Sequence, residues 1–403
     1  MHHQLFPEHV MPVDHADATL IGRAWVPSRG GPIPVLVRES GVYDLSRVAR
    51  TVSELLELPL PLGAIRDACD LPFVGRVADL LLNADSTQRD RAAPWMLAPC
   101  DFQALKASGV TFVESMLERV IEEQARGDAT RAQAVRKAVV DVIGEDLAKV
   151  RPGSPESARL KEILVAQGVW SQYLEVGIGP DAEIFTKSQP LSAVGAGAEV
   201  GIHPGSSWNN PEPEIVLAIN SRGQVVGATL GNDVNLRDFE GRSALLLGKA
   251  KDNNGSCAIG PFIRLFDDGF SIDDVRSCEV LLQIDGPDDF VLCGSSSMSK
   301  ISRDPLDLAA QAIGATHRYP DGLMLFLGTM FAPTQDRFAP GQGFTHVVGD
   351  VVTVHSPRLG TLVNRVNHAD KTEPWTFGIG AALAQLTSSR EQPSSLRPLV
   401  QIP

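Results

Sequence analysis

The chain has 403 residues, of which 43% are apolar and 21% charged, with a formal net charge of −13. That length supports one large domain or two ordinary ones around a buried core, and an acidic balance without a basic block excludes nucleic acid and anionic membrane surfaces as partners. Apolar runs such as residues 215–219 and 323–327 are far short of a bilayer span, so no membrane partner is expected; the expected partners are small molecules and further copies of the chain.

Residues 1 to about 20 carry two prolines and four of the nine histidines on a polar background, which predicts an extended, solvated arm. Met1-His2-His3-Gln4 lacks the charged and apolar regions of an export signal, so the expected location is the cytoplasm. Short β-like runs at 19–26 and 33–37 and helical spacing of Val48, Val52, Leu55 and Leu56 predict a small α+β N-terminal domain over residues 1–100. The polar, proline-bounded stretch 85–99 reads as a surface connection. Cys69, Cys100, Cys257, Cys278 and Cys293 lack CxxC spacing and read as reduced thiols, not a zinc or disulfide framework.

Residues 101–180 form a largely helical connecting region. Val113, Met116, Leu117, Val120 and Ile121 recur at three and four, a second helical stretch runs over 132–149, and Pro152-Gly153-Ser154-Pro155 interrupts the pattern before it resumes at 156–167. Solvation is the plain reading of the charged face. Glu114 and Glu118 sit on one side of the first helix near its start, where they serve the helix dipole or act as catalytic carboxylates.

From residue 181 to 403 the chain reads as a β-rich C-terminal domain. Ala193-Val194-Gly195-Ala196-Gly197 resembles a dinucleotide loop only superficially, because the third glycine and the following helix are absent. Residues 215–219 and 225–230, separated by Ser221-Arg222-Gly223, form a hairpin whose open end carries Glu212, Glu214 and Asp233. Residues two apart in extended chain share a face, so Glu212 and Glu214 aim at one point, and the antiparallel return brings Asp233 beside them. Three converging carboxylates call for a divalent cation, and oxygen ligands favour Mg²⁺, Mn²⁺ or Ca²⁺. A short helix ending in Lys249 and Lys251 follows. Further strands at 279–284, 289–292, 323–327, 351–354 and 359–366 and a helix over 301–313 predict an α+β chain with a β-roll or barrel-like C-terminal domain. Arg237 and Asp238 are candidates for an ion pair bracing the acid loop, and the polar tail after Thr387 for a surface run or an arm on a neighbouring subunit.

Glu212-x-Glu214, the run Gly227 to Asp238, Lys251 before Cys257-Ala258-Ile259-Gly260-Pro261, Gly328-Thr329 and Gly349-Asp350-Val351-Val352 together resemble the fumarylacetoacetate hydrolase superfamily over roughly residues 185–370. The longer matches at Ile202-His203-Pro204, Trp208-Asn209-Asn210-Pro211 and the run Asn235 to Arg242 resemble its branch that dehydrates 2-keto-3-deoxy sugar acids. The resemblance implies a metal held by Glu212, Glu214 and Asp233, with Mg²⁺ expected and Mn²⁺ the alternative. It also implies a mixed β-roll fold for the catalytic domain, a 2-oxo acid or β-diketo acid substrate, a homodimer or homotetramer, and Glu183 as a further acid near the metal. Hydrolytic relatives carry a histidine and a glutamate that activate water. The nearest stretch here runs Thr111 to Glu118 and has Ser115 at the histidine position, so dehydration of a 2-keto-3-deoxypentonate is preferred over carbon-carbon bond hydrolysis or decarboxylation, and over mere 2-oxo acid binding. Glu118, Glu114, Glu183 and Lys251 are the candidate proton-transfer or charge-bearing groups. Ser115, Pro261 and Thr329 are candidate substrate contacts.

Overall fold

The computed structural model describes residues 1–132, 150–166, 168, 170–331 and 333–388. The predicted helix over 132–149, apart from Ala132, and the tail beyond Ser388 lie outside them. Sixteen strands are present among the described residues. They are β1 (Leu20–Val26), β2 (Gly31–Arg38), β3 (Gly41–Asp44), β4 (Phe73–Gly75), β5 (Trp95–Leu97), β6 (Ala104–Gly109), β7 (Glu183–Ser188) and β8 (Glu199–Ile202). The second half adds β9 (Pro213–Ile219), β10 (Val225–Asp233), β11 (Cys257–Leu265), β12 (Glu279–Asp285), β13 (Val291–Ser297), β14 (Leu323–Phe326), β15 (Val351–Ser356) and β16 (Gly360–His368).

The strands make two sheets. The larger runs β4-β3-β2-β1-β11-β10-β9-β14-β6-β7, with β5 on β1, and the smaller runs β13-β12-β15-β16-β8. Pairing is antiparallel except for β14 with β6 and β16 with β8. This is the expected mixed α+β fold, but neither sheet closes into a barrel. Closure needs the first strand of a sheet to pair with its last, and here β11 is taken up by N-terminal β1, so the sheet grows outward instead. The register of β1, Leu20 opposite Arg264, joins it to a strand of the C-terminal region.

Why β9 is an unbroken apolar run follows from its central position. Ile215, Leu217 and Ile219 enter a core shared with the smaller sheet, while Val216 and Ala218 face the core beneath the helix Val52–Glu57. A strand covered on both faces has no reason to alternate. Phe326 of β14 lies fully buried in that second core, and its ring fills the space a side chain at Gly231 would need. Truncating Phe326 to alanine is expected to remove about 3–5 kcal/mol of stability, measured as a shift in the urea midpoint with unchanged slope.

The N-terminal arm differs from its expectation. Residues 1–20 are not a solvated tail: Pro7–Val10 is a helical turn, and Leu5 and Val10 are completely buried. The backbone carbonyl of His9 accepts a hydrogen bond from the Thr361 hydroxyl, and Asp14 forms a two-pronged pair with Arg264 at 2.6 and 2.8 Å. Leu5, Val10 and Met11, together with one acid, dock a segment whose composition is otherwise polar. Cys100, Cys257 and Cys278 are buried thiols, Cys69 and Cys293 are exposed, and none is in a disulfide. Among the described residues no helix is long and apolar enough to cross a membrane.

Candidate metal and carboxylate site

The hairpin β9–β10 builds the site as its alternation dictates. Glu214 stands opposite Gly231 and Pro213 opposite Asn232, and the Asp233 amide donates to the Glu212 carbonyl at 2.9 Å. This register brings carboxylate oxygens of Glu212, Glu214 and Asp233 within 4.8 Å of one another, all three side chains buried. The turn at the other end holds Gly223 at φ +78°, a left-handed conformation that glycine adopts without strain.

Cations surround two of the three acids. Lys251, from the helix Leu247–Lys251, contacts the Glu212 carboxylate and lies 3.1 Å from Asp233 Oδ2. Lys187 of β7, completely buried, lies 2.8 Å from Asp233 Oδ1. Arg119 bridges Glu212 to Glu122, at 2.7 Å from the latter, and reaches Glu240 at 3.2 Å. Glu214 differs: it accepts the Gly328 amide at 2.7 Å and has no cation at ion-pair distance among the described residues.

These neighbourhoods set the protonation of each acid. Burial pushes the Glu212 carboxyl up, but Arg119 and Lys251 outweigh it and hold the group down at about 2. Burial pushes Glu214 well above the carboxylate range, reinforced by the charges of Asp233 and Glu212. Glu240 is pushed up to about 7 by burial despite Arg119 and Lys251. For Lys251, burial disfavours the charge, yet Asp233, Glu212 and Glu240 hold it above the ordinary lysine range. Glu214 is thus the acid left without a countercharge, and an all-oxygen donor set around it fits Mg²⁺ or Mn²⁺.

A small enclosed pocket collects Glu183, Glu212, Glu214, Asp233, Lys251, Ser115 and Thr329. Burial pushes Glu183 up, with Glu212 and Asp233 adding to the effect and Arg119 and Lys251 opposing it. Ser115 donates to the Phe112 carbonyl at 2.9 Å and Thr329 to the Phe331 carbonyl at 3.0 Å, so both hydroxyls are oriented by backbone. The remaining candidates lie elsewhere. Glu114 is exposed and lines a different cavity with Arg151 and Lys300. Glu118 pairs with Arg237 at 2.8 Å instead of facing the pocket. Pro261 is buried within β11 and packs near Gly360.

Arg237 does not pair with Asp238. Its guanidinium reaches Glu118 and, at 2.6 Å, Glu122, while Asp238 accepts from the Ser206 hydroxyl and the Ser207 amide at 2.8 Å each. Adjacent residues at the start of the short helix Arg237–Glu240 diverge, so sequence neighbours need not share a partner. Arg119, Glu122, Lys187 and Glu240 escaped the sequence reading. Arg119 and Glu122 carry a positional signal, since with Ser115 they share the buried stripe of the helix Val113–Ala125, where a solvated face was expected; Lys187 on β7 and Glu240 on the helix Arg237–Glu240 carry none.

A mixed α+β chain with a buried carboxylate triad suited to a hard divalent cation defines a restricted class of proteins. Residues 169–367, just under half of the chain, match the fumarylacetoacetate (FAA) hydrolase C-terminal family. The chain is 30% identical over 189 residues to 2-dehydro-3-deoxy-D-arabinonate dehydratase of Saccharolobus solfataricus, covering 47% of this chain and 60% of that one. It is 29% identical over 233 residues to the probable 2-keto-3-deoxyxylonate dehydratase of Haloferax volcanii, covering 57% and 75%. Among solved structures, the apo form of 2-keto-3-deoxy-D-arabinonate dehydratase superposes with a TM-score of 0.60 at 21% identity, covering 87% of this chain and 99% of that one. A form complexed with magnesium and 2,5-dioxopentanoate gives 0.58 at 21% identity with the same coverage. At this identity the structural likeness speaks for the fold.

Proposed function

We propose that the protein is a divalent-metal-dependent hydro-lyase that converts 2-keto-3-deoxy-D-xylonate, equally named 2-keto-3-deoxy-D-arabinonate, to 2-oxoglutarate semialdehyde. The observation that carries this reading is the pocket itself. It combines a triad suited to a hard cation with two further acids, Glu183 and Glu240, and the cations Lys251 and Arg119, but has a serine at position 115. The named activities of the Saccharolobus and Haloferax relatives support the same substrate class.

Glu212, Glu214 and Asp233 would hold Mg²⁺ or Mn²⁺, which when bound polarises the 2-oxo group and acidifies the C3 protons. Glu183 then accepts a C3 proton as carboxylate and, now a carboxylic acid, returns it to the departing C4 hydroxyl. Its raised pKa suits a group that must both take and give a proton. The net change is loss of one water; the 3,4-ene formed shifts to a 4,5-enol and then to the C5 aldehyde. Lys251 stays protonated and pairs with the substrate carboxylate. Glu118, paired with Arg237, braces the short helix Arg237–Glu240 in this reading, and Glu114 takes no part. Ser115 and Thr329 contact substrate. A homodimer or homotetramer in the cytoplasm belongs to the same proposal.

The test is a coupled assay for 2-oxoglutarate semialdehyde from 2-keto-3-deoxy-D-xylonate with Mg²⁺, run beside an acylpyruvate series. Pyruvate release from the acylpyruvates without semialdehyde would overturn dehydration in favour of carbon-carbon hydrolysis. Binding of both substrates without turnover would leave a 2-oxo acid binding protein. Gly109 supplies a second check, because a Cβ there would collide with the Glu183 carboxylate. Gly109→Ala is expected to lower kcat by about tenfold or more, a displaced proton carrier being the cause, while Mn²⁺ affinity stays unchanged.

A further inference from the structure

A second cavity of about 250 Å³ lies where β1, β5 and the segment 372–377 meet, and it shares no lining residue with the carboxylate pocket. Arg23 of β1 lines it. This side chain is only 6% exposed, and neither Nε nor Nη1 has a hydrogen-bond partner. The neighbouring acid, Asp101, is committed elsewhere: its carboxylate accepts the amides of Val52, Ser53 and Phe102 at 2.6, 2.9 and 2.8 Å. Burial lowers the Arg23 pKa, against the opposing charge of Asp101. The indole N–H of Trp95, also buried, is a further donor without a partner.

The walls are aromatic. Trp25 stacks on Trp95 with ring centres 5.5 Å apart, and Phe377 meets Trp25 edge-on at 5.4 Å. Arg89 and Arg91 share the single carboxylate of Glu373, and Glu199 is the other acid of the lining, so the lining carries one net positive charge, and Arg23 is the cation among them without an acid at ion-pair distance among the described residues. The glycine-rich stretch 193–197, which resembled a dinucleotide loop only superficially, lines the cavity through Ala193, Val194 and Gly195. It presses against the backbone of Leu97 and Ala98 so closely that a side chain at Gly195 would clash.

A buried guanidinium without an acceptor is costly, and evolution ordinarily removes such a group or gives it an anion. Two carboxylate oxygens match the fork of an arginine, and an apolar or aromatic body matches the walls. We propose that this cavity binds a small aromatic carboxylate, its anionic end on Arg23 and the Trp95 N–H and its ring against Trp25 and Phe377. The site is independent of the proposed dehydration.

Calorimetric titration of the full-length protein with benzoate and phenylacetate tests the proposal, with EDTA present to keep metal out of the carboxylate pocket. Saturable binding of at least one acid is expected, with none for the neutral phenylacetamide. Arg23→Met should weaken binding at least tenfold without lowering the melting temperature, since it removes a group that destabilises the unliganded fold. Trp95→Phe should weaken binding several-fold, and it decides the matter if Arg23→Met fails to fold. Three of the five tryptophans line the cavity, so intrinsic fluorescence should follow the same titration. Absence of saturable binding by either acid, or wild-type affinity in Trp95→Phe or in a folded Arg23→Met, would overturn the proposal. Binding that survives in Arg23→Met and disappears in Glu214→Gln would assign the acid to the carboxylate pocket and overturn it equally.

Discussion

Replacing Glu214 by glutamine is expected to abolish metal-dependent turnover and to weaken Mn²⁺ binding by more than about 100-fold, beyond the 10–100-fold typical of groups that merely orient ligands. The substitution keeps the side-chain shape and an oxygen able to accept the Gly328 amide, so the lost affinity reports charge, not packing. The metal-free protein should respond in the opposite direction. Glu214 has a folded pKa raised above its unfolded value, so its favourable contribution is full below the ordinary glutamate range and is lost as pH rises through that raised value. Glu212, held at about 2, contributes in the reverse sense: its stabilisation is present above the ordinary range and fades as pH falls toward 2. At neutral pH in EDTA, Glu214→Gln should therefore melt at a higher temperature than the parent chain. On adding Mn²⁺ the order should invert, because only the parent gains stability from binding. Full turnover, or an unchanged Mn²⁺ isotherm, would remove Glu214 from the metal.

That the hairpin could be read from sequence has a simple physical cause. Two apolar runs, an Asn-Ser-Arg-Gly turn and acids spaced by two define both the register and the face, and the observed pairing of β9 with β10 follows. The helix beginning at Val113 and the strand Glu279–Asp285 were legible for the same reason, a period that only one element satisfies. Barrel closure was not legible, because it depends on which strand β11 chooses at a distance, and that choice went to β1. Charged residues were the hardest. Arg119 meets Glu212 across 93 positions, and Lys187 approaches Asp233 from a strand that precedes the hairpin. A lone arginine or lysine on an amphipathic element looks the same in sequence whether it faces water or a buried acid. The docked N-terminus shows the converse, since Leu5, Val10 and Met11 are too few to form a period and yet carry the segment into the core.

Glu183→Gln is the more discriminating variant for the chemistry. A positioned general acid-base group typically contributes 10²–10⁴-fold, so kcat for 2-keto-3-deoxy-D-xylonate should fall by about 10³-fold while Mn²⁺ affinity remains near that of the parent. The split matters because Glu183 shares its pocket with the triad and with Lys251, and a fourth metal ligand would show a different pattern. If Glu183 held the metal, Mn²⁺ binding and turnover would decline together and excess Mn²⁺ would restore rate. If it moves the proton, excess metal should restore nothing. The acidic limb of the pH profile of kcat should also disappear in the variant, since the glutamine cannot ionise. A substrate deuterated at C3 adds a third reading: proton abstraction by a weaker substitute such as solvent water should become fully rate-limiting and enlarge the isotope effect. Undiminished kcat in Glu183→Gln would exclude Glu183 as the proton carrier and leave Glu240, pushed up to about 7 in the same pocket, and Lys251, which would have to act as the neutral amine despite the acids that hold it charged.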